Sequence, residues 1–494
     1  MLWLIISMIS SILLVLIYCD IRKPKNFPPG PFWFPLIGST IQVWRARSRS
    51  KSLYEGTAEM SKQFGPVLGL KVGRNPIVIV YGPEAYKEFS TSIVLIGRPD
   101  DFYYKLRTWG RRLGIILTDE EFWQEQKRFL LKHLRQFGFG TKNMSHLVET
   151  EISCLIDSID KAIMSEGYTI YDMERFFSVS ILNTLWKMMS GKRYSNDDKN
   201  MKELQQILSD LFKTVHMVGA PFSYYPILKY IAPGISGYKC FINTHINIWK
   251  FLRNEIDYHK KHLDTAQEPT NLIDAYLHVL KVADDGSSYS EDQLVAICMD
   301  MFMAGSETTN NTLSFCFLYL ILNPDIQEKA QEEIDRVVGS RMINLDDRSR
   351  MPYAESIVLE ALRMFSGRAF AVPHRALKAT KLAGYSIPKD TIITANLHGC
   401  MMGPDSGFEE PEKFIPERFL SNGEVHIPDN FYPFGLGKRK CMGESLAKAN
   451  IFLFTTSLLQ KYNFHLLQES PPDMEIVDGV TPAPVHYKAK ITRR

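Results

Sequence analysis

The chain has no two cysteines in C-x-x-C spacing and no marked imbalance of charge, and each absence excludes a class of protein. Its seven cysteines are odd in number and scattered from Cys19 to Cys441, which disfavours a disulfide framework and a zinc site. The 58 basic and 55 acidic residues leave a formal net charge of +3, so no nucleic-acid partner is expected. The sequence also lacks internal repeats and low-complexity tracts. These absences leave a globular body in the cytosol as the expectation.

Charge-free runs of membrane-spanning length are also absent, with one exception at the N-terminus. Residues 2–19, LWLIISMISSILLVLIYC, carry no charge and are just long enough to span a bilayer. A cleaved signal peptide is the alternative, but no basic segment precedes the run and no small-x-small cleavage site follows it, which favours a retained anchor. Arg22, Lys23 and Lys25 come directly after the run. Positive charge on this flank places the rest of the chain in the cytosol.

The sequence divides into three parts on this interpretation. Residues 1–20 form the anchor, and residues 21–36 form a proline-rich hinge. The hinge contains most of the segment FPPGPFWFPLIG, whose polyproline-type stiffness is suited to holding a body at a fixed angle to the membrane. Residues 37–494 then form one large globular body.

Most of that body is predicted to be helical. Apolar residues recur at spacings of three and four from about residue 142 to residue 340. Short runs with β propensity are fewer: VLGLKV (67–72), PIVIVYG (76–82), TIITANL (391–397) and YNFHLL (462–467). The fold class expected is therefore mainly α with a small β-sheet domain.

One predicted helix is unusually long and contains a polar cluster. It begins after Ser290, which stands in capping-box spacing with Gln293, and it ends at Asn323-Pro324. Within it, AGSETT (304–309) combines weak helix formers with the acid Glu307. Threonine hydroxyls can bond back to carbonyls and open a helix locally for a small ligand or water; the alternative is an ordinary kink with a solvated glutamate.

The segment FGLGKRKCMG (434–443) favours a metal-bound cysteine. A thiolate needs positive surroundings, and the basic run 438–440 directly precedes Cys441. The helix predicted to begin at Cys441 would also direct backbone N–H groups toward the sulfur. Most lone cysteines are small buried apolar residues, but the packed sequence context here favours a ligand.

The residues around Cys441 suit a flat partner. Gly435, Gly437 and Gly443 let the backbone bend and approach such a partner closely. Phe434 offers a ring that shields the sulfur from water.

Glu360 and Arg363 in LEALR, with Arg418 in PERF, form a third group. A Glu–Arg pair at i, i+3 is normally an exposed and weak ion pair, so these residues alone indicate no function.

Taken together, the motifs resemble those of the cytochrome P-450 superfamily of haem-thiolate monooxygenases, in order and spacing over nearly the whole chain. FGLGKRKCMG matches the family pattern F-x-x-G-x-R-x-C-x-G, which implies that Cys441 is the axial ligand of the iron of haem b. AGSETT matches the family's oxygen-activation motif, which implies that Glu307 and Thr308 are the catalytic acid–alcohol pair. The resemblance also implies that the Glu360 group is a buried network.

The resemblance implies further contacts to the haem. Within the cysteine motif they are Phe434, Gly437, Arg439 and Gly443. The family's W-x-x-x-R motif appears here as Trp123 followed by Lys127, with Arg128 one place late, so both basic residues stay candidates for a haem propionate. Arg98, in GRP, matches another position that commonly reaches a propionate.

The resemblance implies an activity, a location and partners as well. A P-450 fold of this kind inserts one atom of O2 into a small lipophilic substrate, with electrons from NADPH delivered by a diflavin reductase and with cytochrome b5 as a further donor. Insect microsomal members of the clan that includes vertebrate drug- and steroid-metabolising enzymes are similar. This similarity implies the endoplasmic reticulum membrane, with residues 37–494 as the cytosolic haem-thiolate catalytic domain. Ecdysteroids, juvenile-hormone-type terpenoids, fatty acids and xenobiotics all remain candidate substrates.

Alignment to the family places four segments beside the substrate: residues 102–116, 301–304, 367–372 and 479–484. They are mostly apolar, which suits a lipophile. Two other functions stay open: a haem-thiolate isomerase or dehydratase, which is disfavoured because such enzymes tend to lose the Glu307–Thr308 type of pair, and a non-catalytic haem sensor, for which no regulatory domain is evident.

A basic surface is expected on the side of the haem that carries the cysteine. Arg128, Lys132 and Arg135 share one helix face, and Lys438 and Lys440 lie beside Cys441. This surface would attract an acidic reductase, and the alternative is a solvated helix face.

Overall fold

The computed structural model describes residues 2–264, 266–284, 286–467 and 475–494, and helices dominate this part of the chain. The α-helices are α1 (Leu2–Ile21), α2 (Thr40–Ser50), α3 (Leu53–Phe64), α4 (Pro83–Thr91), α5 (Phe102–Leu106), α6 (Glu120–Gln136), α7 (Lys142–Ile163), α8 (Ser178–Ser190), α9 (Lys199–Thr214), α10 (Pro221–Tyr224), α11 (Leu228–Ile231), α12 (Tyr238–His262), α13 (Leu272–Val282), α14 (Glu291–Leu322), α15 (Pro324–Val337), α16 (Pro352–Ser366), α17 (His398–Met401) and α18 (Glu444–Lys461). Short 3₁₀ helices span Leu345–Arg350, Pro416–Phe419 and Gly437–Arg439.

The strands are short and form several small sheets. They are β1 (Val67–Val72), β2 (Asn75–Tyr81), β3 (Tyr168–Asp172), β4 (His374–Arg375), β5 (Thr380–Leu382), β6 (Tyr385–Ile387), β7 (Ile392–Asn396), β8 (Leu420–Ser421), β9 (Glu424–Val425), β10 (Tyr462–Leu466), β11 (Ile476–Val477), β12 (Ala483–Pro484) and β13 (Lys488–Arg493). The largest sheet has the order β1-β2-β7-β4, with β1 antiparallel and β7 parallel to β2. A second sheet has the order β10-β13-β3. The four predicted strands are all present, each within one residue of its predicted ends, and the mainly helical fold is confirmed.

The N-terminal helix is tied to the body of the protein. Within the described residues, Trp3–Ile21 is the one stretch of helix that is long and apolar enough to cross a membrane. At its end, the Asp20 carboxylate forms an ion pair with Lys71 of β1 at 2.6 Å. The proline-rich segment 21–36 packs on the same strand, because Gly69 N–H donates to the Pro29 carbonyl at 2.7 Å and the Trp33 side chain is buried. This segment therefore has a defined position on the sheet.

The long helix α14 begins and ends as predicted, with one difference at its start. The Ser290 hydroxyl accepts a hydrogen bond from Gln293 N–H at 3.1 Å, as in a capping box. The Gln293 side chain does not complete the box, because its amide instead pairs with both backbone groups of Gly114. Asn323 terminates α14 and caps α15, which begins at Pro324.

The polar cluster 304–309 does not open α14. The Thr308 hydroxyl donates to the Ala304 carbonyl at 2.8 Å, and Ser306 does the same to Phe302 at 2.8 Å. These hydroxyls bond to carbonyls one turn earlier while the α-helix continues on both sides. The back-bonding was expected correctly, whereas the local opening is not present.

Glu360 lies at the centre of a buried ion network on α16. Its carboxylate accepts hydrogen bonds from Arg363 at 2.7 and 2.9 Å and from Arg418 at 3.1 Å. The side chains of Glu360 and Arg363 are fully buried. Arg363 also donates to the Met401 carbonyl at 2.8 Å, and Ile415 N–H donates to Glu360 at 2.9 Å. The network thereby ties residues 401–418 to α16.

Candidate active site

The loop before α18 presents a cysteine at its end. Cys441 N–H donates to the Phe434 carbonyl at 2.9 Å, which closes the loop 434–441. The Cys441 side chain is accessible although protein atoms enclose its position on most sides. The helix α18 begins at Glu444 with Gly443 as its N-cap, three residues later than predicted. Cys441 therefore lies just before the helix and not within it.

The surroundings of the Cys441 sulfur act on its pKa in opposite directions. Burial raises the pKa of the thiol, and the carboxylate of Glu444 acts in the same direction. The backbone N–H groups of Gly443 and Glu444 lower it, because they stabilise a thiolate at the start of α18. Lys440 lowers the pKa of the thiol less than its position beside Cys441 predicts, because its ammonium forms an ion pair with Glu444 at 2.7 Å.

The glycines of this loop have different roles. Gly437 has φ +70°, and a Cβ placed on it would lie 2.2 Å from the carbonyl oxygen of Ser90. Packing against the end of α4 therefore requires a glycine at position 437. The sequence had explained this glycine only by the close approach of a flat partner. Gly443 has φ −82°, and a Cβ there would lie 3.7 Å from the Cys441 sulfur, an ordinary contact.

Two arginines, the buried Arg98 and the half-buried Arg439, have side-chain N–H groups without acceptors. Arg98 donates from Nη1 to the Val372 and Pro373 carbonyls at 2.9 Å each, but its buried Nε has no acceptor among the described residues. Arg439 donates from Nε to the Ile96 carbonyl at 3.1 Å, and both its buried Nη atoms lack acceptors there. Burial lowers the pKa of both, and repulsion from Arg439 lowers that of Arg98 further. The pair favours an anion between them.

Trp123 joins α6 to this group of cations. The Arg439 guanidinium lies 3.8 Å from the centre of the Trp123 ring, and the Lys127 ammonium lies 4.7 Å from it. Lys127 also donates to the Lys438 carbonyl at 3.0 Å, which places α6 beside the cysteine loop. Arg128 is exposed. Of the two candidates left open by the sequence, Lys127 is therefore the one that lies with Arg439.

His374 belongs to the same region, because Arg98 and Arg439 lie close enough to act on its pKa. It is buried, and its Nδ1–H donates to the Leu95 carbonyl at 2.7 Å. Burial, with Arg98 and Arg439 nearby, holds its pKa well below the usual range, so the ring is neutral at pH 7. Asp119 is the acidic residue of this cation group. Its carboxylate accepts from the backbone N–H of Arg98 at 2.7 Å and forms an ion pair with Arg112 at 2.9 Å.

The acid and the alcohol of α14 lie apart from this cation group. Glu307 is buried, and burial raises the pKa of its carboxyl to about 7 while Lys213 acts against this rise. Its carboxyl makes no hydrogen bond within the described part of the chain. Thr308 is half-buried, and Ala304 one turn before it is exposed although most residues around it on α14 are buried. This face of α14 is therefore accessible within an otherwise largely buried helix.

The segment 102–116, predicted to lie beside the substrate, is joined to α14 by a buried ion pair. Arg107 of this segment pairs with Asp300, which directly precedes the predicted segment 301–304, and both residues are buried. Asp300 also accepts from the backbone N–H groups of Ile115 and Ile116 at 2.6 and 2.9 Å. The sequence did not reveal this pair because 193 positions separate its members.

A haem group fits these residues. An accessible cysteine at a helix N-terminus suits an iron ligand, and propionates are acceptors for the unpartnered N–H groups of Arg98 and Arg439. A mainly helical fold with such a site defines a class, that of the haem-thiolate oxidoreductases.

Comparison with known proteins leads to the same class. The model of the family Cytochrome P450 matches residues 28–491. The probable cytochrome P450 303a1 of Drosophila melanogaster is 41% identical over 502 residues, which cover 100% of both chains. The farnesoate epoxidase of Bombyx mori is 35% identical over 483 residues, 96% of each chain. Cytochrome P450 2J3 of Rattus norvegicus is 32% identical over 474 residues, 94% of this chain and 91% of its own.

The chain belongs to the cytochrome P450 family, as its motifs predicted. It is a P450 monooxygenase, and the family implies a haem iron held by a cysteine thiolate. The microsomal type of P450 to which it is similar takes electrons from a reductase. The apolar helix α1 and these relatives indicate membrane anchoring.

Replacing Gly437 by alanine is expected to disturb the cysteine loop more than replacing Gly443. Gly437→Ala puts a Cβ against Ser90 at a left-handed φ and should cost about 1–3 kcal/mol of stability and lower the haem content per chain. Gly443→Ala, the control, should cost less than about 1 kcal/mol. Denaturant unfolding and haem quantitation measure both effects. Equal effects of the two substitutions would contradict this account of the loop.

Proposed function

We propose that this P450 inserts one oxygen atom into a small lipophilic substrate that lies against the 300–308 face of α14. Residues 1–20 anchor it in the endoplasmic reticulum membrane, residues 21–36 are the hinge, and residues 37–494 are the catalytic domain in the cytosol. The observation that carries the proposal is the closed loop that presents Cys441, together with Arg98 and Arg439, whose buried N–H groups lack acceptors among the described residues.

Each residue around the loop has a role in holding the haem. Cys441 binds the iron as a thiolate, with Phe434 and Gly443 beside the sulfur. Arg98, Arg439, Trp123 and Lys127 hold the propionates, and Gly437 keeps the loop against α4. When bound, the haem supplies the activation of O2 and the transfer of one oxygen atom to the substrate.

The protein supplies the protons from α14. Burial raises the pKa of the Glu307 carboxyl to about 7, so this acid can hold a proton near neutral pH. The Thr308 hydroxyl donates a hydrogen bond to the Ala304 carbonyl, so its oxygen can accept a hydrogen bond from a water molecule. A peroxide isomerase needs no such proton source, so these residues favour the monooxygenase over that alternative.

The substrate is a lipophile that partitions into the membrane. Apolar residues dominate the cavity segments, and α1 keeps the catalytic domain at the bilayer. The relative from Bombyx mori is a farnesoate epoxidase, which supports an unsaturated terpenoid among the candidates.

A diflavin reductase docks on the basic surface formed by Arg128, Lys132, Arg135 and Lys438. All four residues are exposed. The hydrogen bond from Lys127 to Lys438 places α6 and the loop side by side, so their charges act on the same partner. Cytochrome b5 would use the same surface as a second donor.

Replacing Cys441 tests the proposed function directly. The reduced, carbon monoxide-bound protein should show the red-shifted Soret band of a thiolate ligand, and Cys441→Ser should abolish it together with turnover. Cys400→Ser, at a buried cysteine in another part of the core, is the control and should keep both. If Cys441→Ser kept this band, the thiolate that binds the iron would belong to another cysteine.

Replacing Glu307 tests the proton source. In the wild type, the product formed per NADPH should fall as pH rises through about 7, because the protonated carboxyl is lost. Glu307→Gln should lower this ratio several-fold, release peroxide or water instead, and remove the pH dependence. Glu333→Gln is the control, since Glu333 is a buried acid outside α14 that accepts from the backbone N–H groups of Tyr353 and Ala354 and pairs with the exposed Arg336 at 3.9 Å. An unchanged ratio in Glu307→Gln would remove this residue from the proton path.

Charge reversal tests the reductase surface. Lys132→Glu with Arg135→Glu should raise the apparent KM for reductase and flatten its dependence on salt, while peroxide-driven turnover stays unchanged. Lys381→Glu with Lys389→Glu makes the same charge change around the β5–β6 hairpin and should have no effect. If reductase-driven and peroxide-driven rates fall together in the first variant, the surface has a structural role and the docking assignment is wrong.

A further inference from the structure

One face of α14 rests on the short segment that joins β3 to α8. The Ser314 hydroxyl donates to the Met173 carbonyl at 2.8 Å, and the Asn310 amide donates to the Glu174 carbonyl at 2.7 Å. Glu307 continues this row, because residues at intervals of three and four share one face of a helix. The side chains of Glu307 and Asn310 are therefore neighbours on α14.

The Asn310 side chain has one fixed orientation. Its Nδ2 donates to the Glu174 carbonyl and also to Oδ1 of Asn311 at 3.2 Å, so the nitrogen must point toward these two oxygens. Asn311 is itself held in place, since its amide donates to the Pro482 carbonyl at 3.1 Å. The amide oxygen of Asn310 therefore points away from both acceptors.

This oxygen, Oδ1 of Asn310, is an acceptor that the protein does not use. It is buried and has no hydrogen-bond donor among the residues that the structure describes, and Asn310 as a whole is only 2% exposed. A buried acceptor without a donor is unfavourable in free energy, and folded proteins rarely contain one. A neighbouring side chain with a proton to donate would satisfy it.

Glu307 is such a neighbour when its carboxyl is protonated. Four charged side chains act on it from the elements packed against this face: Lys213 and Asp210 of α9, and Glu174 and Arg175 before α8. Lys213 and Glu174 form an ion pair with each other, which reduces their separate effects. Burial is the largest influence and raises the pKa of the Glu307 carboxyl to about 7. The protonated carboxyl has an O–H group to donate, and Glu307 makes no hydrogen bond within the described residues.

We propose that Asn310 is a positioning residue for the proton source, whose Oδ1 accepts a hydrogen bond from the protonated carboxyl of Glu307. This assignment rests on the proposed function, because it gives the proton of Glu307 a fixed place before its transfer. The hydrogen bond forms only with the protonated acid, so it stabilises that form relative to the carboxylate. The alternative is that Asn310 only ties α14 to residue 174 through its Nδ2.

The C=O stretching vibration of the Glu307 carboxyl tests this hydrogen bond without turnover. Infrared difference spectra of the ferric haem protein between acidic and alkaline pH contain the bands of its protonated carboxyls, and Glu307→Gln identifies the band of Glu307 by removing it. In the wild type this band should lie at the frequency of a hydrogen-bonded carboxylic acid. A band at the frequency of a free carboxylic acid, or the lack of a Glu307 band near neutral pH, would overturn the proposal.

The deciding variant is Asn310→Leu, which keeps the approximate size of the side chain and removes the acceptor. The Glu307 band should move to higher frequency, because its O–H loses the acceptor. The midpoint of its titration should fall by about one pH unit, a roughly tenfold loss of proton affinity, because the protonated form loses a hydrogen bond that the carboxylate never had. Unchanged values would show that Asn310 has only a structural role. If Asn310→Leu does not fold, the frequency of the wild-type band decides the question.

The matched control is Asn450→Leu on α18. Asn450 is buried, its Oδ1 also lacks a donor among the described residues, and its amide donates to the Thr184 hydroxyl at 3.2 Å. The substitution removes the same groups from another helix, so it should leave the Glu307 band and its midpoint unchanged. An equal shift in Asn450→Leu would mean that the effect of Asn310→Leu is not specific, and the proposal would fail.

The product formed per NADPH distinguishes this failure from a failure of the proposed function. In Asn310→Leu the fall of this ratio with pH should begin about one pH unit lower than in the wild type. If Glu307→Gln lowers the ratio while Asn310→Leu changes neither the band nor the pH profile, the proton source stands and only the role of Asn310 is wrong. If Glu307→Gln leaves the ratio unchanged, Glu307 is not the proton source, and the infrared band still decides whether its bond to Asn310 exists.

Discussion

Much of the protein depends on one buried carboxylate, Glu360. Transferring two arginines and a glutamate from water into the protein is unfavourable in free energy. Only a complete set of ion-pair and hydrogen-bond partners offsets this desolvation penalty. Arg363 and Arg418 supply those partners, and their remaining N–H groups bind the carbonyls of Met401 and Glu409. The chain from residue 401 to residue 418 is therefore fixed on α16, and the cysteine loop begins only sixteen residues later. Loss of one member would leave an unpaired buried charge and release the segment that leads to Cys441.

The active site uses burial in two opposite ways. Arg98, between α4 and α5, and Arg439, on the cysteine loop, have buried N–H groups without acceptors among the described residues, so these cations favour an anionic partner such as the propionates of a haem. On α14, burial raises the pKa of the Glu307 carboxyl to about 7, so an acid that is normally ionised retains a proton for transfer. The same physical effect thus selects an anion on one side of the site and provides protons on the other.

The Arg107–Asp300 pair is a further buried polar element of the structure. It orders the segment 107–116, because the Asp300 carboxylate accepts hydrogen bonds from the backbone N–H groups of Ile115 and Ile116.

Local patterns in the sequence determined the strands β1, β2, β7 and β10, both ends of α14 and the membership of the family, because periodicity, capping and motif spacing act over a few residues. The roles of single charged residues were not determined in this way. Glu360 and Arg363 have the spacing of an exposed pair, and only packing buries them with Arg418. The position of Lys127 beside Trp123 and the cysteine loop, the start of α18 at Glu444 and the pairing of Arg107 with Asp300 likewise depend on the tertiary structure. Burial and long-range pairing depend on the whole packed chain, and no short segment of sequence contains that information.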